Sequence, residues 1–207
     1  MLTIALDLAR QAGDLLRRGH QNGAVSIASK SSAVDLVTEY DLASERLLVE
    51  GLRSRFPDHA IYGEESGGAL LATGPQWVID PLDGTTNFAH GYPVFCVTLA
   101  LLIDGQPELG VTYDPLRDDL FWAQRGQGAW RGQQRLRVSS TPTLDVSLLA
   151  TGFAYDRASN ADNNLAESAH FVTRTRGARR SGSAALEIAW VAAGWLDGYW
   201  ERGIQVW

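Results

Sequence analysis

The chain has 207 residues, 45% of them apolar, which is enough for a sizeable core and rules out an intrinsically disordered polymer. Its 18 basic and 24 acidic residues leave a formal charge of −6, arguing against a protein that grips nucleic acid or an anionic membrane through bulk charge. No run approaches the roughly 18–20 apolar residues of a membrane span, and Asp7, Arg10, Gln11 and Asp14 interrupt the N-terminal stretch as no signal peptide is interrupted, so the expected location is cytoplasmic.

In chain order, Ala5, Leu8, Ala9, Ala12, Leu15 and Leu16 recur at helical spacing, and Gly19 stands where a C-terminal cap would fall. Thr38 followed by Asp41 forms a capping-box start for a second helix through Leu42, Leu47, Leu48 and Leu52, which Pro57 stops. The period then becomes strand-like. Segments 60–63, 77–80, 95–103, 109–113, 120–123 and 136–138 read as strands of a largely antiparallel meander, separated by turn chemistry at Asp104-Gly105, Asp114-Pro115 and Gly126-Gln127-Gly128. Helical spacing returns at 160–175 and 183–193, and 196–201 reads as another strand. Strands grouped between helices predict a layered α+β sandwich, in one domain over 1–207 with no linker.

The run Asp80, Pro81, Leu82, Asp83, Gly84, Thr85, Thr86, Asn87, Phe88 follows an apolar strand. Pro81 fixes its own φ and biases Asp80 toward extended backbone, while Gly84 permits a conformation that a side chain would forbid. Asp80 and Asp83 can thereby converge on one cation, and hard oxygen ligands suit Mg²⁺ completed by a substrate phosphate. Backbone N–H groups around Gly84, Thr85 and Thr86 would then meet the anion at the start of a helix. Glu64 and Glu65 add a further carboxylate if their strand neighbours this one. Each piece also has a plain structural reading: Asp-Pro-x-Asp-Gly is an ordinary surface turn, Glu64-Glu65 a solvated one, and Asp41 a helix-start charge.

The chain resembles the inositol monophosphatase family. Asp80 to Phe88 is similar to its first signature, and Val34-Asp35-Leu36-Val37-Thr38 with Asp41, Gly63-Glu64-Glu65-Ser66, Gly182-Ser183-Ala184-Ala185 and Trp200-Glu201 follow in family order. The resemblance implies an αβαβα sandwich of the inositol monophosphatase and fructose bisphosphatase type, and a lithium-sensitive, Mg²⁺-dependent phosphomonoesterase. It implies that Glu64, Asp80, Asp83 and the Leu82 carbonyl are the metal ligands. Asp41, Glu64 and Thr85 would activate water, Gly84 and Thr85 amides would receive phosphate, and Ser183, Ala184 and Glu201 would contact the alcohol. It further implies a homodimer. Inositol monophosphate or a similar polyol phosphate is the expected substrate, with fructose bisphosphate, histidinol phosphate or NADP as alternatives.

The family's second signature opens Trp-Asp, and the sequence reaches Trp207 with that Asp outside it. The resemblance thus leads us to expect a chain truncated before the second metal motif, binding metal poorly as it stands. A non-catalytic regulatory or RNA-binding protein on the same scaffold is the reading from another class, with Arg174, Arg176, Arg179 and Arg180 as its basic segment. A solvated or interface segment is the better reading of that cluster, so no nucleic-acid partner is expected. Cys96, alone in an apolar run, is expected to be a buried small hydrophobe. The tryptophans read as core, and the four histidines show no metal spacing, although His90 lies close to the acidic run.

Overall fold

The structure is a computed structural model and describes residues 1–23, 26–30 and 35–207; Val34 of the resemblance therefore lies outside the described residues. Helix α1 (Leu2–Asn22) buries Ala5, Leu8, Ala9, Ala12 and Leu16 along one stripe. It ends at Gly23 in the left-handed region, not at Gly19 as expected. Gly19 is buried inside the helix, where a Cβ would stand 2.3 Å from the Tyr40 ring, so packing rather than capping accounts for it. Strands β1 (Ile27–Ser29) and β2 (Leu36–Thr38) pair antiparallel. Helix α2 (Glu39–Arg55) opens with Thr38 and Asp41 in the expected capping box and ends just before Pro57. Of its expected apolar residues, Leu48 and Leu52 are fully buried while Leu42 faces solvent.

A seven-stranded sheet follows, in the order of its sequence: β3 (Ala60–Gly63), β4 (Pro75–Asp83), β5 (Cys96–Ile103), β6 (Gln106–Asp114), β7 (Asp119–Gln124), β8 (Gly128–Arg131) and β9 (Gln134–Arg135). Only the β3–β4 pair is parallel; the rest is the antiparallel meander read from the pattern. Short helix α3 (Thr85–Ala89) sits between β4 and β5. The strand expected at 136–138 does not form, since Val138 is 70% exposed and has no face to bury. The ladder instead closes with β8 and β9.

Past a 3-10 turn at Leu144–Val146 come β10 (Leu148–Thr151), α4 (Leu165–Val172), β11 (Gly177–Arg179), α5 (Ala184–Ala192) and β12 (Gly198–Trp200). Strands β11, β10 and β12 make a second, parallel sheet in that order. The helical spacing read over 160–175 shrinks to α4, because Asn160 and Asn163 side chains accept from Asp162 N and Leu165 N and hold 160–164 in turns.

Strand alternation divides the large sheet's faces. Trp77, Ile79, Leu99, Leu101, Val111 and Tyr113 meet Leu8, Leu16, Leu48 and Leu52 from α1 and α2, each buried Leu stabilising the fold by roughly 1.5–3 kcal/mol. The opposite face offers Cys96 and Phe121 to Leu186 and Ala189 of α5. Helices, large sheet, helix and small sheet are therefore stacked as a layered α+β sandwich, and Cys96 is the buried hydrophobe expected of it.

Candidate active site

The parallel pairing of β3 with β4 sets Gly63 opposite Ile79, so the next residues along, Glu64 just past the end of β3 and Asp80 within β4, stand side by side. Glu64 N still donates to Ile79 O, at 3.1 Å. The β4 ladder is irregular between Asp80 and Asp83, which turns both carboxylates toward one cleft of about 1000 Å³. Asp80 Oδ1 accepts Leu82 N at 3.0 Å, and Ser44 of α2 donates to Pro81 O at 2.8 Å, so the bend is held from within and from beneath. Gly84 then takes φ +99°, where a Cβ would lie 2.9 Å from Val94 O; only glycine meets both requirements.

Asp41 is fully buried below this bend. Its Oδ2 accepts the Thr38 backbone N–H at 2.8 Å and the Thr38 hydroxyl at 2.5 Å. The Thr85 hydroxyl stands 2.9 Å from Asp41 Oδ1 and 3.0 Å from Leu82 O, with one proton to give to either. Asp83 Oδ2 accepts the Ser183 hydroxyl and Ala185 N, both at 2.7 Å. The Cys96 thiol lies 3.8 Å from the same oxygen. On the small sheet, the Tyr199 hydroxyl donates to Glu201 Oε2.

Electrostatics show what the cluster lacks. Burial, then the negative charges of Glu64 and Asp83, pushes the Asp80 carboxyl well above the ordinary carboxylate range. Burial raises Asp83 too, against the hydrogen bonds it accepts from Ser183, Ala185 and Ala184. Asp41 and Glu201 are likewise raised by burial. Lys30 is the cation that meets the cluster's edge: Nζ donates to Glu64 Oε1 at 2.8 Å and also to Glu65. Burial still pushes Glu65 to about 7.

The cleft is lined by Glu64, Asp80, Leu82, Asp83, Gly84, Thr85, Ser183, Ala184 and Glu201. Every site residue expected from the sequence is thus in one place except Asp41, which reaches it through Thr85. His90 lines the cleft as well, as does Arg180, whereas Arg174, Arg176 and Arg179 are exposed outside it. Among the described residues, no three His, Cys, Asp or Glu side chains close into a metal shell in this geometry; Glu64 is drawn to Lys30 instead. The donors nevertheless fit a hard divalent cation, being carboxylates and a carbonyl, mutually repelling and short of positive charge.

Reading the sequence missed Lys30, Ser44, Glu45 and Glu187. For Glu45 a signal existed, since it lies one helical turn beyond Asp41. Glu187, one turn into α5, accepts Ser181 N at 2.6 Å and so fixes the loop before Ser183.

Comparison with known proteins gives this arrangement a family. The model of the inositol monophosphatase family matches residues 1–207. The chain belongs to that family. It is 52% identical over 182 residues to the inositol-1-monophosphatase of Synechocystis sp., covering 87% of this chain and 63% of that protein; the match thus spans less than two thirds of that relative. It is 43% identical over 209 residues to the Nus factor SuhB of Escherichia coli, covering 100% of this chain and 78% of that one. Among solved structures, the inositol monophosphatase of Anabaena superposes with a TM-score of 0.87 at 48% identity, over 99% of this chain and 75% of that chain. The inositol monophosphatase of Thermotoga maritima gives 0.87 at 35%, over 98% and 76%. The layered α+β fold read above is thus shared with these enzymes, and members of the family are generally metal-dependent phosphatases. No helix among the described residues is long and apolar enough to cross a membrane.

Proposed function

We propose that this chain carries the active site of a Mg²⁺-dependent phosphomonoesterase acting on inositol monophosphate or a similar small polyol phosphate. The observation that carries this reading is the β3–β4 register, which delivers Glu64 beside Asp80 with Asp83 at the following bend. Glu64, Asp80, Asp83 and the Leu82 carbonyl would hold the cation. Bound there, it supplies the positive charge without which Coulomb repulsion keeps an anionic phosphate away from three carboxylates.

The chain's own groups do the rest. Asp41 draws on the Thr85 hydroxyl and so orients the Thr85 oxygen toward the attacking water, with Glu64 on the water's other side. Backbone N–H groups of Gly84 and Thr85, at the start of α3, receive the phosphate. Ser183, fully buried with its proton given to Asp83 and its oxygen 3.6 Å from the Cys96 thiol, supports the alcohol end of the cleft from below, where Glu201 and the Ala184 backbone would meet a substrate hydroxyl. No covalent intermediate is required, because water serves as the nucleophile; the chain's one cysteine, Cys96, is buried, which pushes its thiol well up.

Phosphate release from a panel of polyol and sugar phosphates, by the protein as its gene encodes it, with and without Mg²⁺, tests this directly. Release that depends on Mg²⁺ supports the reading; none from any ester sinks it. Relatives named Nus factor SuhB support a second reading, a partner in transcription, for which exposed Arg174, Arg176 and Arg179 offer a basic edge. Salt-dependent RNA binding lost on replacing those three, with phosphate release untouched, would place that role outside the cleft.

A further inference from the structure

We infer that Glu45, which does not line the cleft, fixes where Glu64 points and thereby sets the affinity of the cleft for a divalent cation; this rests on the phosphatase reading above. The turn after β3 presents four successive backbone donors, and each can be traced. Glu64 N goes to Ile79 O at 3.1 Å and Gly67 N to Gly63 O at 2.9 Å. The two donors at the tip, Glu65 N and Ser66 N, both go to Glu45, at 2.8 Å to Oε2 and 2.7 Å to Oε1. No strand or turn partner takes that pair, so the tip of the loop hangs on one carboxylate 5% exposed on α2.

Gly63 records the same contact from the other side. A Cβ there would stand 2.6 Å from Glu45 Oε2 and 2.7 Å from Ser66 Oγ. Its φ is not in the left-handed region, so close approach of Glu45, not backbone conformation, demands glycine. The neighbour Ser44 holds Pro81 O, so consecutive residues of one helix brace the ends of β3 and β4, the two strands that carry Glu64 and Asp80.

Glu45 also has an opponent. Lys30 donates to both Glu64 and Glu65 and pulls the pair toward itself. With its tip released from Glu45, the loop can follow Lys30, and Glu64 leaves Asp80. Glu45 is therefore a positioning residue, acting on the cation only through Glu64.

The test uses the full-length gene product in four forms: wild type, Glu45→Gln, Glu45→Ala, and Leu52→Ala as a control that weakens α2 from its buried face. Mg²⁺ binding is measured by calorimetry, beside thermal unfolding, the half-saturating Mg²⁺ for phosphate release, and KM at saturating Mg²⁺. Groups that orient a metal ligand typically change metal affinity about 10–100-fold. The expected result is Mg²⁺ binding weaker by about 10-fold in Glu45→Gln and up to about 100-fold in Glu45→Ala, with KM for the ester nearly unchanged. Leu52→Ala lowers the unfolding temperature but leaves Mg²⁺ affinity at the wild-type value. Should Glu45→Ala fail to fold, Glu45→Gln decides. Glu45 variants that bind Mg²⁺ like wild type, or a Leu52→Ala protein weakened to the same degree, overturn the inference alone. A wild type that neither binds Mg²⁺ nor releases phosphate overturns the phosphatase reading and this one with it.

Discussion

Ser183 donates to Asp83 Oδ2 at 2.7 Å across 100 positions of sequence. With Ala185 N on the same oxygen, this ties the end of β4 to the start of α5, so the acidic cluster and the residues proposed to meet the alcohol move as one body. Asp83 is consequently a strut between layers as well as the charge proposed to meet a cation.

Those two roles separate in Asp83→Asn. The amide oxygen can still accept from Ser183 or Ala185, so the fold should survive, while the negative charge is gone. Mg²⁺-dependent phosphate release is expected to fall by about 100-fold or more. Near wild-type release, with unfolding also unchanged, contradicts the assignment of Asp83.

Asp41 and Thr85 should behave as a unit, because the Thr85 hydroxyl is oriented by Asp41 Oδ1. Asp41→Asn and Thr85→Ala are each expected to lower kcat more than they raise KM, and the double variant to be little worse than either alone. Additive losses, or losses confined to KM, would argue for separate roles.

Glu187 gives the stability a pH dependence. Burial pushes its carboxyl from the ordinary 4.5 to about 7. Such a group stabilises the fold fully below its unfolded pKa, and that contribution disappears as pH rises from about 4.5 through about 7. Glu187→Gln keeps an acceptor for Ser181 N and carries no charge. Relative to wild type it should gain on the order of 2 kcal/mol between pH 5 and pH 8, read as a growing difference in unfolding temperature without added metal. A difference constant with pH refutes this. Asp145, Glu167 and Asp197, whose carboxyls lie below their ordinary values, act at lower pH, whereas Glu65, also pushed to about 7, titrates in the same window in both proteins, so the difference between them, not the wild-type curve, is the readout.

At Gly84 the backbone itself is the constraint. Gly84→Ala places a Cβ 2.9 Å from Val94 O at φ +99°, which should cost about 1–3 kcal/mol and depress phosphate release through displacement of Thr85. Urea denaturation measures the first, and an unchanged midpoint would mean that the bend relaxes without strain.

Much of this molecule was legible before any coordinates. The Thr38–Asp41 capping box, the α1 stripe and the alternating strands from β3 to β7 are local patterns, decided by residues within a few positions of one another. Short parallel strands leave little such trace: Leu148–Thr151 and Gly177–Arg179 carry too few residues to show a period, and of the small sheet only the strand within 196–201 was read. The strand expected at 136–138 failed for another reason: Leu136 packs against the cluster of Phe121 and Leu186, but Val138 is exposed with nothing to pack on.

For the site, residue order along the chain named the carboxylates of Glu64, Asp80 and Asp83 and the likeness to a phosphatase family, since those types and spacings are properties of a string. Their meeting was not such a property. It depends on β3 lying parallel to β4, on Glu45 gripping the loop from a separate helix and on Ser183 reaching Asp83. Contacts between segments distant in sequence are set by which buried faces and backbone donors find partners, and only folding in three dimensions settles that competition.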